Sequence, residues 1–132
     1  MTTELYWMTL TVLMTALFWL PYLLDRVVVR GLFTTLSSEL ETGTNHSLWA
    51  QRAIKAHQNA VENLAIFVPA VLALHVLNLS TPMTRSAVVV YFFARLLHYF
   101  VYAAAIPLAR TVTFTLGWLS QIALLGTVLR WL

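Results

Sequence analysis

Along most of this chain, apolar residues run without the two- or three-residue interruptions by charge that mark a water-facing surface. Four stretches are long enough to cross a bilayer as helices: Leu5 to Leu24, Leu48 to Leu79, Met83 to Ile106 and Val112 to Leu132. Crossing a hydrocarbon core takes about 20 helical residues at about 1.5 Å each. These spans use most of the 132 residues, so the pattern predicts one domain over residues 1–132, an all-α integral membrane bundle of four transmembrane helices. The sizeable polar interval is Asp25 to Ser47, holding Arg26, Arg30, Gly31, Glu39, Glu41 and the run Glu41-Thr-Gly-Thr-Asn45. It reads as a loop with an interfacial helical start. Ser47 is the expected N-cap of the second helix, its hydroxyl meeting a free backbone N–H. Pro69 should kink that helix, Ser80-Thr-Pro82 should turn the chain into the third, and Pro107 should end the third.

Composition agrees with lipid as the solvent. The chain is 60% hydrophobic and 10% charged, with a mean hydropathy of +0.77. The first span opens on Glu4 rather than a basic patch, is long for a signal peptide and lacks a small-x-small cleavage site, so it reads as a retained anchor. With no cysteine, a protein thiol nucleophile, a disulfide framework and a thiolate metal site are excluded. The net charge of +3 does not point to nucleic acid, because the basic residues are scattered among hydrophobic spans. Membrane topology accounts for them: Arg26, Arg30, Arg52, Lys55 and Arg110 fall on one side, Arg85 and Arg130 on the other. The positive-inside rule then places both termini outside the cytoplasm. Trp7, Trp118 and Trp131 do not all fall at span ends and add little to that assignment.

Two polar faces lie where a membrane span should be apolar. In the second helix Arg52, Lys55, Asn59, Glu62 and Asn63 share an arc of about 100°. Glu62 then lies on the order of 10 Å below Lys55, where a carboxylate bare to lipid is costly. In the third helix Tyr91, Arg95, His98, Tyr99 and Tyr102 share a similar arc. Arg95 and His98 bracket the depth of Glu62, so Glu62 is expected to pair with one of them, within a subunit or across an interface. Interhelical hydrogen bonding alone accounts equally well for Asn59, Asn63 and Tyr99; three charges on one face, Arg52, Lys55 and Glu62, point further, to a binding site. His57 and His75 lie roughly opposite the stripe, His57 read as interfacial and His75 as a packed or capped ring. No histidine has a partner at metal-ligand spacing, so no metal site is expected. Arg26, Arg30 and Arg130 serve as topology markers, and the sequons Asn45-His-Ser47 and Asn78-Leu-Ser80 are too short a pattern to weigh.

The run Arg52-Ala-Ile-Lys55-Ala-His57-Gln58-Asn59-Ala-Val-Glu62-Asn63 resembles the second-helix signature of the MAPEG family, the membrane-associated proteins in eicosanoid and glutathione metabolism. Arg95-Leu-Leu-His98-Tyr-Phe-Val-Tyr102 resembles that family's third-helix pattern, and Pro107 with Arg110 its following segment. The resemblance implies a homotrimer of four-helix subunits binding glutathione between neighbours near the cytoplasmic side. Under it, Arg52, Lys55, Asn59 and Glu62, with Arg95 and His98, match the glutathione-binding positions. Tyr102 matches a tyrosine near the thiol, and Arg110 the arginine that stabilises thiolate. Lys55 stands where many members have Arg, which turns a bidentate contact into a point charge, and Gln58 and Asn63 also depart from some members. The implied activity is a glutathione-dependent transferase or peroxidase acting on lipophilic small molecules that arrive through the bilayer. The competing readings are a non-catalytic lipid-binding or scaffold protein of the same fold, and a small transporter. Transport ranks last because the first span carries no acid between Glu4 and Asp25.

Overall fold

The structure, a computed structural model, describes residues 1–31 and 47–132. Glu39, Glu41, Asn45 and His46 lie outside the described residues. Among the described residues five helices follow in order: α1 (Thr3–Leu17), α2 (Trp19–Arg30), α3 (Leu48–Val76), α4 (Pro82–Ala103) and α5 (Pro107–Val128). Among the described residues they give four membrane-crossing segments, Thr3–Val28, Leu48–Val76, Pro82–Ala103 and Pro107–Val128. The four spans read from hydropathy are therefore present, with ends shifted by a few residues.

The first span is two helices rather than one. Pro21 lacks an N–H and its ring crowds the carbonyl four residues back, that of Leu17. The helix breaks there, with the Phe18 N–H turned back to the Thr15 carbonyl at 3.2 Å. The break is held from α4: the Tyr99 hydroxyl donates to the Phe18 carbonyl at 2.7 Å, and the two rings stack with centroids 4.0 Å apart. The helical start expected after the first span is the continuation of α2 to Arg30, stopped at Gly31, whose φ of 85° suits a residue without a Cβ.

Ser47 occupies the N-cap position of α3 but caps it differently from expectation. Its side chain makes no hydrogen bond to the helix's own N–H groups. Instead its hydroxyl donates to Asp25 Oδ1 at 2.6 Å and its N–H to Asp25 Oδ2 at 3.0 Å. A carboxylate is the stronger acceptor, and one at a helix N-terminus also suits the dipole. α3 then runs through Pro69 without ending. At Thr81 a capping box with Thr84 starts α4, and Pro82 occupies its first turn. Pro107 begins α5, after α4 has closed at Ala103–Ala104; the Ile106 N–H bonds the Val101 carbonyl at 3.0 Å.

Two clusters hold the bundle. Toward the ends of α4 and α5 near Thr81 and Val128, Phe67, Val71, Leu74, Val88, Tyr91 and Leu124 pack together, with Phe67 stacked on Tyr91 at 3.9 Å. Toward the other end Met14 and Phe18 meet Ala53, Ala56, Ala60 and Tyr99. That buried alanine seam lets helix backbones approach closely, the usual solution where lipid offers no hydrophobic drive. Glu4 closes the first end. It is 3% exposed, and its Oε1 accepts from Ser80 Oγ at 2.7 Å and Thr84 Oγ1 at 2.8 Å.

Candidate functional site

The end of the bundle away from Glu4 gathers the first half of α3, the last turns of α4 and the first turns of α5. There Arg52 Nε donates to the Ala103 carbonyl at 2.8 Å. That carbonyl belongs to the C-terminal turn of α4, whose partial negative charge suits a guanidinium. From α5 the Arg110 guanidinium lies 4.9 Å from the centre of the Tyr102 ring. The cation fixes the ring's position through its quadrupole and is itself held close to the tyrosine. His98 completes this group, its ring 5.5 Å from that of Tyr102 and 6.0 Å from that of Phe114.

One to two turns deeper, a second polar group is buried. Arg95 is 2% exposed; its Nη2 donates to Asn59 Oδ1 at 2.6 Å, and its head lies 5.9 Å from the Phe114 ring centre. Asn63 Nδ2 donates to the Asn59 carbonyl at 2.8 Å. From α5, Gln121 Nε2 reaches the Asn63 carbonyl at 3.2 Å, Asn63 Oδ1 at 3.3 Å and the Tyr91 hydroxyl at 3.5 Å. Gly117 faces this group: a Cβ there would sit 3.5 Å from Arg95 Cδ, in ordinary contact.

The polar stripe expected on α3 thus divides along its length. Arg52, Asn59 and Asn63 form its inward edge, while Lys55 and Glu62 are exposed on the outward edge of the subunit. Within the subunit, Glu62 does not pair with Arg95 or His98. The reason is angular: Asn59 meets α4 and Asn63 meets α5, which leaves Glu62 about 60° from the first and about 100° from the second around the helix. The expected face on α4 divides too, because Tyr99 turns to Phe18 whereas Tyr91, Arg95, His98 and Tyr102 keep to the side shared with α5.

The remaining histidines part from expectation in one case. His57 Nδ1 meets the Tyr22 hydroxyl at 2.8 Å, joining α3 to α2. His75 is exposed rather than packed, lining a cavity of about 170 Å³ with Glu4, Asn78 and Ser80. Among the described residues no cluster of three metal-ligating side chains occurs. Gln121 was not singled out from sequence, although a glutamine in the middle of an apolar span, between Ser120 and Ile122, was a readable signal. Glu4 was read for its charge alone and not for a partner.

These residues can do definite chemistry. Arg110 places positive charge over the ring of Tyr102, the His98 imidazole lies against the same ring, and Arg52 adds a second cation at the Ala103 carbonyl, an arrangement suited to holding an anion and keeping a thiol ionised. Lys55 and Glu62 on the adjoining outer edge offer both signs of charge. No curated protein and no solved structure matches this chain. One family model does match, that of the MAPEG family, over residues 5–130.

Proposed function

The chain belongs to the MAPEG family and is an integral, multi-pass membrane protein, and from that premise we propose that it is a glutathione-dependent transferase or peroxidase acting on lipophilic electrophiles. The observation that carries the proposal is the placement of the Arg110 guanidinium over the Tyr102 ring, with His98 alongside. The charge and hydroxyl needed to stabilise a thiolate converge at one end of the bundle, beside Arg52.

In this reading glutathione binds along the inward edge and rim of α3. Arg52 and Lys55 receive its carboxylates and Glu62 its ammonium, with Asn59 and His98 completing the contacts. The Arg110 charge and the Tyr102 hydroxyl favour ionisation of the thiol, whose proton leaves to water. The sulfur then attacks the electrophilic carbon of a substrate arriving from the bilayer; a carbon–sulfur bond forms and the leaving group departs with its electron pair. The exposure of Lys55 and Glu62 within a membrane span favours a second copy against that edge, and we assign the assembly as a homotrimer with glutathione between subunits. Both termini lie outside the cytoplasm in this arrangement.

Calorimetric titration of the detergent-solubilised protein with glutathione tests the reading. Saturable heat, together with turnover of a generic aryl halide or lipid hydroperoxide that falls at least tenfold in Arg110→Ala, is the expected result. Full turnover in that variant removes Arg110 from the mechanism. A second reading, lipid binding without catalysis, draws on the apolar groove between α1 and α4, about 340 Å³, lined by Leu10, Leu13, Leu17, Phe92, Leu96 and Phe100 among others. Absence of glutathione heat with retained lipid binding would establish it instead.

A further inference from the structure

Arg95 is buried and its guanidinium is engaged by an amide, which sets it apart from Arg52 and Arg110. We propose that Arg95 and Gln121 are positioning residues, the two ends of a buried hydrogen-bond ladder that turns the side-chain N–H donors of Asn59 toward the ligand. The ligand group met at that level is then an acceptor oxygen, a carboxylate or an amide carbonyl. The ligand part of this inference rests on the glutathione reading above, while the ladder stands on the structure.

Each amide in the ladder has its direction fixed by an atom of unambiguous polarity. A guanidinium only donates, so the Asn59 atom 2.6 Å from Arg95 Nη2 is its oxygen. A backbone carbonyl only accepts, so the Asn63 atom 2.8 Å from the Asn59 carbonyl is its nitrogen. That orientation leaves Asn63 Oδ1 toward α5. The Gln121 atom facing the Asn63 carbonyl must likewise be nitrogen, and the same nitrogen reaches Asn63 Oδ1 and the Tyr91 hydroxyl. Swapping any one amide would set acceptor against acceptor or donor against donor. With its oxygen held by Arg95 and, at 3.4 Å, by Asn63 Nδ2, Asn59 has its Nδ2 remaining, and among the described residues that nitrogen makes no hydrogen bond. Asn59 itself is only half-buried, whereas Arg95 and Gln121 are each 2% exposed. The residue that can touch a ligand is therefore Asn59, and the arginine acts through it.

Three substitutions, two of them also combined, test this in detergent or nanodiscs, read by thermal stability and by glutathione titration. Asn59→Asp preserves the shape and gives Arg95 a carboxylate partner, so the melting temperature is expected to hold or rise. Its outward atom becomes an acceptor, and glutathione affinity is expected to fall more than tenfold. Unchanged affinity overturns the outward amide. Gln121→Met and Asn59→Ala, singly and together, form a cycle in melting temperature that needs no ligand. The ladder predicts a double-variant loss smaller than the sum of the two single losses, and additive losses overturn it. In Gln121→Met, KM for glutathione is expected to rise severalfold with kcat at saturation little changed, because Arg110 and Tyr102 lie outside the ladder. Absence of glutathione binding by the unaltered protein overturns the proposed function and the ligand assignment together; the melting cycle still decides the ladder.

Discussion

Tyr102 illustrates how much one side chain can be asked to do. Its ring seats the Arg110 guanidinium, and in the proposed mechanism its hydroxyl helps to hold a thiolate. Tyr102→Phe separates the two, since the ring and its cation contact survive while the hydroxyl is lost. The expected outcome is a fall in kcat of about tenfold, the equivalent of one hydrogen bond of about 1.4 kcal/mol, with a smaller change in glutathione affinity; steady-state kinetics at varied glutathione checks it. The identities of Arg52, Asn59, His98, Tyr102 and Arg110 as polar groups at one end of the bundle were legible from spacing and resemblance. The division of the α3 stripe was not, because an arc of 100° on a helix wheel does not say where its inward edge lies. That boundary is set by which sector α4 occupies, a property of packing. Gln121 was a readable polar interruption of an apolar span, but its partner was not legible, because only packing sets Asn63 opposite it.

Among the elements, α4 and α5 meet beside the site at a small residue, Gly117. A Cβ added at Gly117 would meet Arg95 Cδ at 3.5 Å, Tyr91 at 3.8 Å and Ala94 at 3.9 Å, all ordinary van der Waals distances. Gly117→Ala should therefore be accommodated, and the gain in helix propensity, up to about 1 kcal/mol, should leave the melting temperature equal or higher. Gly117→Leu has no such space; it is expected to displace Arg95 from Asn59 and to weaken glutathione binding along with stability. The break at Phe18 makes a separate prediction. Tyr99→Phe keeps the stacked ring but frees the Phe18 carbonyl, at a cost of about 1 kcal/mol, seen as a lower melting temperature. Hydropathy located the four spans well, since a run of 20 apolar residues in lipid has few alternatives. It was blind to the division of the first span because Pro21 and its neighbours remain apolar on either side of the break, so the average is unaffected.

Across the whole molecule, among the described residues, polar chemistry gathers at the two opposite ends of the bundle and in the buried ladder between them. At one end Glu4 joins α1 to the start of α4 through Ser80 and Thr84, and Arg85 Nη1 donates to Ser80 Oγ at 3.1 Å. The other end carries the candidate site. Glu4→Gln should lower thermal stability, since a charge-assisted contact is weakened, yet leave glutathione affinity within about twofold, the spread of a difference of about 0.4 kcal/mol. A parallel loss of affinity would mean that the two ends are energetically coupled. Glu62→Gln bears on assembly. Because Glu62 is exposed on the single subunit, its replacement should matter little to the fold of one chain, but should shift the oligomer distribution toward smaller species if a neighbouring copy covers it; native mass spectrometry reads that directly.

The length of α3 has a kinetic corollary. Its 29 residues span about 43 Å, against a hydrocarbon core of about 30 Å, whereas α4 and α5 at 22 residues each reach about 33 Å. With the excess length placed at the N-terminal end of α3, in keeping with its basic residues, Arg52 and Lys55 would sit at the aqueous boundary and Glu62, about 10 Å further along the helix, inside the lipid edge. In the proposed reaction the enzyme would then count its two reactants in different units. Glutathione would be sensed by its molarity in water and the electrophile by its mole fraction in the membrane, so added inert lipid should slow the reaction at fixed total substrate while leaving the apparent KM for glutathione where it was.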